Sequence, residues 1–317
     1  CHPDWYYSHK YGYTWWSAYW NGCDRSWYNP WWSTRISLPS GWYNRNGVLL
    51  GPGVDLSGRS FSYADLSSID LRDVNFEGAD LVGTNFTNST LTNVDFRNKD
   101  LRNANFSSAN LTGVDFTGAN LSGANFNNST VTNAKFTNTD LSTSDLRYTT
   151  SGGVDGENLV MPSGWRFYNG YFVGSTARLS SADLSGADLS GMNLSYVNFN
   201  YANLSNANFT GTKLYAAELY ASNFSGAVLD GVSSGGISNS PSYLPSGWAL
   251  VNGYLAGPKA NLVGANFNGR SLSGLDLSGA DLTGAYLGFS SLYTTKFVDA
   301  NLTNANLYYT DIREADF

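Results

Sequence analysis

The chain has 317 residues, enough for two ordinary domains or one elongated one. Its formal charge is −7 with only 14% charged residues, which argues against nucleic-acid binding through basic patches. No stretch approaches the roughly 18 to 20 consecutive apolar residues of a membrane span, and the recurrence of Gly, Asn, Ser and Thr excludes a coiled coil.

Residues 1–37 differ from the rest. They hold both Cys and both His residues (Cys1, His2, His9, Cys23) and 13 aromatics, among them Trp5, Trp15, Trp16, Trp20, Trp27, Trp31 and Trp32. The segment opens at Cys1 rather than at a Met, as a processed or partial chain does. The Cys and His spacing fits no zinc pattern. A disulfide between Cys1 and Cys23 is the preferred expectation; lipidation of Cys1, as in a bacterial lipoprotein, is the alternative.

From Leu56 a Leu or Phe recurs every five residues to Leu146, with only Val131 substituting. Two further runs, Leu179 to Leu229 and Leu262 to Phe317, keep the same period, with Ile312 as the one exception. Two residues before each large residue stands a small one, usually Ala (Ala104, Ala109, Ala119), and between them Asp or Asn. In the first run Phe and Leu alternate. With four pentads per turn Phe76, Phe96, Phe116 and Phe136 share one column, and Phe86, Phe106 and Phe126 another. Three pentads per turn would set Phe over Leu at every level, against the constant layer volume that close packing demands.

Units such as "ADLSG" and "ANFTG" resemble the pentapeptide-repeat family, over most of residues 38–317. The resemblance implies an all-β fold: a right-handed, four-sided β-helix solenoid. At twenty residues per coil, residues 38–317 would make about 14 coils, with the aromatic-rich segment 1–37 as an irregular arm or cap. Runs 54–148, 177–231 and 260–317 are separated by connectors, which open "LPSGW" at Leu38, "MPSGW" at Met161 and "LPSGW" at Leu244. Large bacterial pentapeptide-repeat proteins carry similar connectors. Each connector is expected to be continued coil with a short bulge, its Trp (Trp42, Trp165, Trp248) taking the place of a pentad residue. A discrete loop on a flank is the alternative. Because the three connectors lie 123 and 83 residues apart, a difference of two whole coils, all should leave the coil at one corner.

Candidate chemistry is sparse. From Leu38 onward there is no His and no Cys, and nothing distinguishes one Asp from the next, so no catalytic residue, cofactor or metal site is assigned. The Asp and Asn side chains are expected to satisfy backbone donors in turns. Lys99, Arg59 and Arg270 stand in the small inward slot, where a charge is costly unless it reaches the surface. Asn85, Asn88, Asn105, Asn110, Asn120, Asn128, Asn193, Asn203, Asn208, Asn223 and Asn301 head glycosylation sequons, which the repeat creates automatically.

The functional expectation is a non-enzymatic structural rod, extracellular or on the cell surface, without a transmembrane segment or bound nucleic acid. Its partner is itself. Copies would stack head to tail into a filament or surface layer, with the seven Trp of the arm and Phe317 at the interface. The arm's aromatics could also stack on carbohydrate. The alternative comes from the resemblance: some pentapeptide-repeat proteins mimic duplex DNA and bind DNA gyrase. The rod's charge falls far short of the one negative charge per roughly 1.7 Å of a duplex.

Overall fold

A computed structural model describes residues 38–45 and 47–317. The fold is built from one hydrogen-bonded unit, seen in the pentad that starts at Phe116. Phe116 N–H donates to Lys135 O (2.8 Å) and Gly118 N–H to Thr137 O (3.0 Å), both on the next coil. Ala119 N–H closes a turn onto Phe116 O (2.8 Å), and Asn120 N–H reaches back to Lys99 O (2.9 Å) on the coil before. The remaining donor, Thr117 N–H, is taken by Asp115 Oδ1 at 3.0 Å. All five backbone donors are thus satisfied, as a buried backbone requires. Where an acidic or amide residue precedes the centre, as at Asp115, its oxygen accepts the one N–H that no neighbouring coil takes.

The turn demands positive φ two residues after each centre, as a type II turn does. Throughout the three runs that residue has it (57° at Asn98, 67° at Gly118), Thr143 being the exception. The chain therefore places Gly or Asn there most often, the residues that adopt this conformation at least cost.

Parallel bridges join residues 20 apart, such as Asp95 to Asp115 and Asp115 to Lys135, so four pentads make one turn of the chain. Phe96 lies between Phe76 and Phe116, with ring centroids 5.6 and 5.5 Å apart, and Phe136 follows Phe116 at 5.0 Å. Phe86, Phe106 and Phe126 stack at 5.2 Å. The two columns meet inside the coil, Phe106 to Phe116 at 5.6 Å edge to face. Centres are buried through the first two runs and to Phe297 in the third, beyond which they are half-buried or exposed, and most of the small residues are buried with them; among the described residues there is no helix.

Each connector holds an antiparallel hairpin: β1 (Tyr43–Arg45) with β2 (Val48–Leu50), β3 (Arg166–Tyr168) with β4 (Tyr171–Val173), and β7 (Ala249–Val251) with β8 (Tyr254–Ala256). The remaining pair, β5 (Lys213–Tyr215) and β6 (Ser233–Gly235), is parallel and belongs to the coil. Asn169-Gly170 and Asn252-Gly253 make two-residue turns with positive φ at both residues, as type I′ turns require. A Cβ on Gly170 would sit 3.1 Å from Gly153 N, and one on Gly253 3.1 Å from Gly236 N. The facing strand is held at Ser151 and Ser234, whose Oγ atoms accept Phe172 N–H (2.9 Å) and Leu255 N–H (2.8 Å).

The bulge expected in the connector is therefore a hairpin, and the coil runs on beneath it. Across each of the later two hairpins the bridge offset is 28, as in Thr150 to Arg178 and Ser233 to Asn261: one twenty-residue turn plus the eight residues of the hairpin. The expectation of a common corner fails for the same reason. Gly51 and Gly174 are 123 residues apart; without the intervening hairpin 115 remain, or 23 pentads. Gly174 and Gly257 are 83 apart, which leaves 75, or 15 pentads. Neither count is a multiple of four, so each hairpin leaves three quarters of a turn on from the last.

The Trp does stand in for a pentad residue. Gly51, Gly174 and Gly257 occupy the centre positions before Leu56, Leu179 and Leu262, and accept the usual turn bonds from Val54, Ala177 and Ala260. A Cβ on these glycines would lie 2.4, 2.3 and 2.3 Å from the indoles of Trp42, Trp165 and Trp248. Each indole fills the space a centre side chain would take.

Candidate functional site

The outward positions flank each centre. Before the centre Asp or Asn is commonest, and after it Ser, Thr or Arg. Arg after the centre pairs with Asp before it: Arg72–Asp70 (2.8 Å), Arg97–Asp95 (2.6 Å), Arg102–Asp100 (2.7 Å), Arg147–Asp145 (2.6 Å) and Arg313–Asp311 (2.9 Å). In all five pairs hydrogen bonding from the Arg side chain is the leading cause that holds the carboxyl below its ordinary range; Asp311 falls to about 2. Asp140, Asp183 and Asp276 are lowered by their bonds to Ser142, Ser185 and Ser278. Every Asp with a resolved shift moves down, opposite to what a general acid at neutral pH needs.

Lys99 is half-buried and adds a small attraction to Asp95, whose carboxyl is lowered first by Arg97. Arg59 is half-buried and Arg270 exposed. None of the three is fully buried, in keeping with the cost of burying a charge. A shallow open depression is lined by Ser273, Ser291, Tyr293, Asp311, Arg313 and Glu314.

The sequons have a structural use. Asn85 Oδ1 accepts both Thr87 N–H (3.1 Å) and Thr87 Oγ1–H (2.6 Å). The same bond from the sequon's Ser or Thr N–H forms at Asn105, Asn110, Asn120, Asn193, Asn203, Asn208, Asn223 and Asn301. Asn88 and Asn128 instead occupy the positive-φ position. Asn85, Asn203 and Asn208 also donate Nδ2–H to the Asp one coil before, Asp65, Asp183 and Asp188. Phe317 is 61% exposed and stacks on Phe297 at 5.1 Å. The proposed disulfide of Cys1 and Cys23 and the interface residues Trp5, Trp15, Trp16, Trp20, Trp27, Trp31 and Trp32 lie outside the described residues.

A family model described as "Pentapeptide repeat region" matches residues 54–126. One described as "Pentapeptide repeats (8 copies)" matches 109–147, 175–211, 193–231, 260–297 and 285–317, and the two together span about two-thirds of the chain. The chain belongs to the pentapeptide-repeat family. Its all-β coil is the β-helix of that family, which is right-handed in the resemblance drawn above. Among solved structures it is similar to HetL, a pentapeptide-repeat protein involved in heterocyst differentiation regulation in the cyanobacterium Nostoc sp. strain PCC 7120. Identity is 23% over 83% of this chain and 89% of that one, with a TM-score of 0.23. It is also similar to Rfr23 of the cyanobacterium Cyanothece 51142, at 25% identity over 35% and 90% of the two chains and a TM-score of 0.28. A third is full-length QnrB1, a plasmid-mediated fluoroquinolone resistance protein, at 20% identity over 60% and 92% and a TM-score of 0.22. No curated protein matches the chain. Among the described residues of this pentapeptide-repeat chain, no helix is long and apolar enough to cross a membrane.

The feature that reading the sequence missed is aromatic. Four exposed tyrosines, Tyr196, Tyr201, Tyr215 and Tyr220, form two ring pairs on neighbouring corners. Their signal was a bulky Tyr at 196 and 201, where the turn prefers Gly or Asn, and at 215 and 220, directly after a centre, where Ser or Thr is usual.

Proposed function

We propose that this pentapeptide-repeat chain is a structural rod without catalytic function, four-sided, held outside the cell or on its surface, whose copies associate head to tail through the arm of residues 1–37. The observation that carries this reading is the ladder of parallel bridges at 20-residue intervals over three successive buried cores, with Trp165 packed against the first two and Trp248 against the last two. Every coil edge presents the same row of donors and acceptors, so a coil of a second copy can continue the ladder that successive coils make within one copy. Twenty residues per turn, less two eight-residue hairpins, gives about 12 turns between Leu56 and Phe317, where the same span wound throughout would make about 13. At ~4.8 Å per turn this is a rod of roughly 60 Å.

The test is negative-stain microscopy of the full chain beside a variant lacking residues 1–37. Filaments that vanish with the arm support the reading. A full chain that stays monomeric at high concentration, or an armless chain with the same helical repeat, overturns it. The DNA-mimic alternative has less support. Ion pairs neutralise nine of the acidic side chains among the described residues locally, whereas a duplex presents one unpaired negative charge per roughly 1.7 Å. Inhibition in a gyrase supercoiling assay would favour that alternative instead.

A further inference from the structure

We infer that one side of the second run is a binding site for a neutral oligosaccharide, lined by Tyr196, Tyr215, Tyr201 and Tyr220. The inference is independent of the assembly and location proposed above. Tyr196 and Tyr215 stand on consecutive coils at one corner, joined by Tyr196 N–H to Tyr215 O (2.8 Å), with ring centroids 5.6 Å apart and planes at 80°. Five residues on, at the next corner, Tyr201 and Tyr220 repeat the arrangement: the same backbone bond at 2.8 Å, centroids at 5.3 Å and planes at 90°. All four side chains are at least half exposed.

Between these two aromatic walls the side of the coil is polar. Arg178, Asn198 and Glu218 follow one another in a single file of bridges, ~4.8 Å apart. The Glu218 carboxylate is fixed by Asn198 Nδ2–H (2.6 Å) and Asn200 Nδ2–H (2.8 Å), and Asn200 Oδ1 accepts Tyr220 N–H (2.9 Å). Arg178 is exposed and in no ion pair among the described residues.

The chemistry of this surface selects its occupant. An edge-to-face pair leaves one ring face open, and the negative face of a Tyr ring attracts the C–H faces of a sugar while its hydroxyl can bond the sugar's own. The floor offers oriented donors and acceptors whose formal charges, one positive and one negative, cancel. The ring unit occurs twice at one-pentad spacing, no more than ~17 Å apart along the chain. That suits a ligand that is itself a chain of similar units.

The experiment is calorimetric titration of the full chain with cellohexaose, chitohexaose and maltohexaose. At least one is expected to bind. The variant Tyr196→Gly, Tyr201→Gly, Tyr215→Ala, Tyr220→Ala should weaken that binding by about tenfold or more, with the circular dichroism spectrum of the folded chain retained. Gly suits positions 196 and 201, where φ is 61°. If the fourfold variant loses its fold, the pair variant Tyr196→Gly, Tyr215→Ala replaces it, with the same weakening expected. The inference is overturned if none of the three sugars binds, or if binding survives loss of the tyrosines, which would move it to the aromatic arm.

Discussion

The indole of Trp165 occupies the space above Gly174 where a pentad side chain would point: a Cβ there would lie 2.3 Å from the ring. Trp and Gly thus share one large-residue position between two sites nine residues apart, and the hairpin β3–β4 lies between them. Trp165→Ala opens that space and should cost about 3 kcal/mol, the low end for a Trp truncation because the indole is only half-buried. Gly174→Leu alone overpacks and should cost ~1–3 kcal/mol. Together the two changes rebuild an ordinary centre, so the double variant should be more stable than the sum of the single losses. A double-mutant cycle by urea unfolding checks this; strict additivity would show that the indole does not substitute for the missing side chain.

Phe116 is sandwiched between Phe96 and Phe136 and touches Phe106 and Phe126 across the coil. Phe116→Ala should destabilise by about 3–5 kcal/mol, the range for a buried aromatic. Phe317→Ala removes an exposed ring with one stacked neighbour and should cost no more than about 0.5–1 kcal/mol. Denaturant unfolding of the two variants side by side measures the contrast, and equal losses would contradict the column as the source of stability.

The pentad centres were legible because burial acts on every fifth residue without interruption, and the Phe columns because layer volume constrains what stacks on what. The hairpins were not, although Asn169-Gly170 and Asn252-Gly253 are strong two-residue turn signals. The constant 33-residue gap between pentad centres, Leu146 to Leu179 and Leu229 to Leu262, is three more than six pentads and so reads as continued coil with a short bulge. It is five pentads plus an eight-residue hairpin, and only the pairing of Thr150 with Arg178 separates the two. The corner of each connector went wrong with it. The tyrosine walls were hidden because outward positions tolerate almost any residue, so periodicity carries no information there. Which side a tyrosine faces depends on its count of pentads from the hairpin.

Ser129 and Thr294 test the two costs of the repeat separately. Ser129 Oγ is the one buried side-chain oxygen among the described residues without a hydrogen-bond partner, whereas Ser89 Oγ–H in the same slot donates to Phe86 O at 2.6 Å. Ser129→Ala should therefore be neutral or stabilising by up to ~1 kcal/mol, while Ser89→Ala should lose about that much. Thr294 is β-branched and held at a φ of 56°, so Thr294→Gly should gain about 1 kcal/mol by relieving the left-handed conformation. Melting temperatures of the three variants give the signs; a stabilising Ser89→Ala or a destabilising Thr294→Gly would contradict the account.

Acid should dismantle the rod through the same residues that close its turns. Asp140, Asp183 and Asp276 are held below the ordinary carboxyl value by bonds from Ser142, Ser185 and Ser278, and Asp311 is lowered to about 2 by its hydrogen bonds to Arg313. A carboxyl that titrates lower when folded than its unfolded value of about 3.9 binds protons more readily in the unfolded chain. Its contribution is complete above that value and disappears as pH falls through the folded one. Stability should be flat from pH ~7 to ~5 and drop steeply between about 4 and 2. Asn does the same turn-closing work at Asn105 and Asn120 without titrating. The triple variant Asp140→Asn, Asp183→Asn, Asp276→Asn should keep its neutral-pH melting temperature and lose part of its acid sensitivity. Thermal melts from pH ~7 to ~2 decide the matter. An unchanged acid limb in the triple variant would mean that these three carboxylates do not couple turn closure to pH.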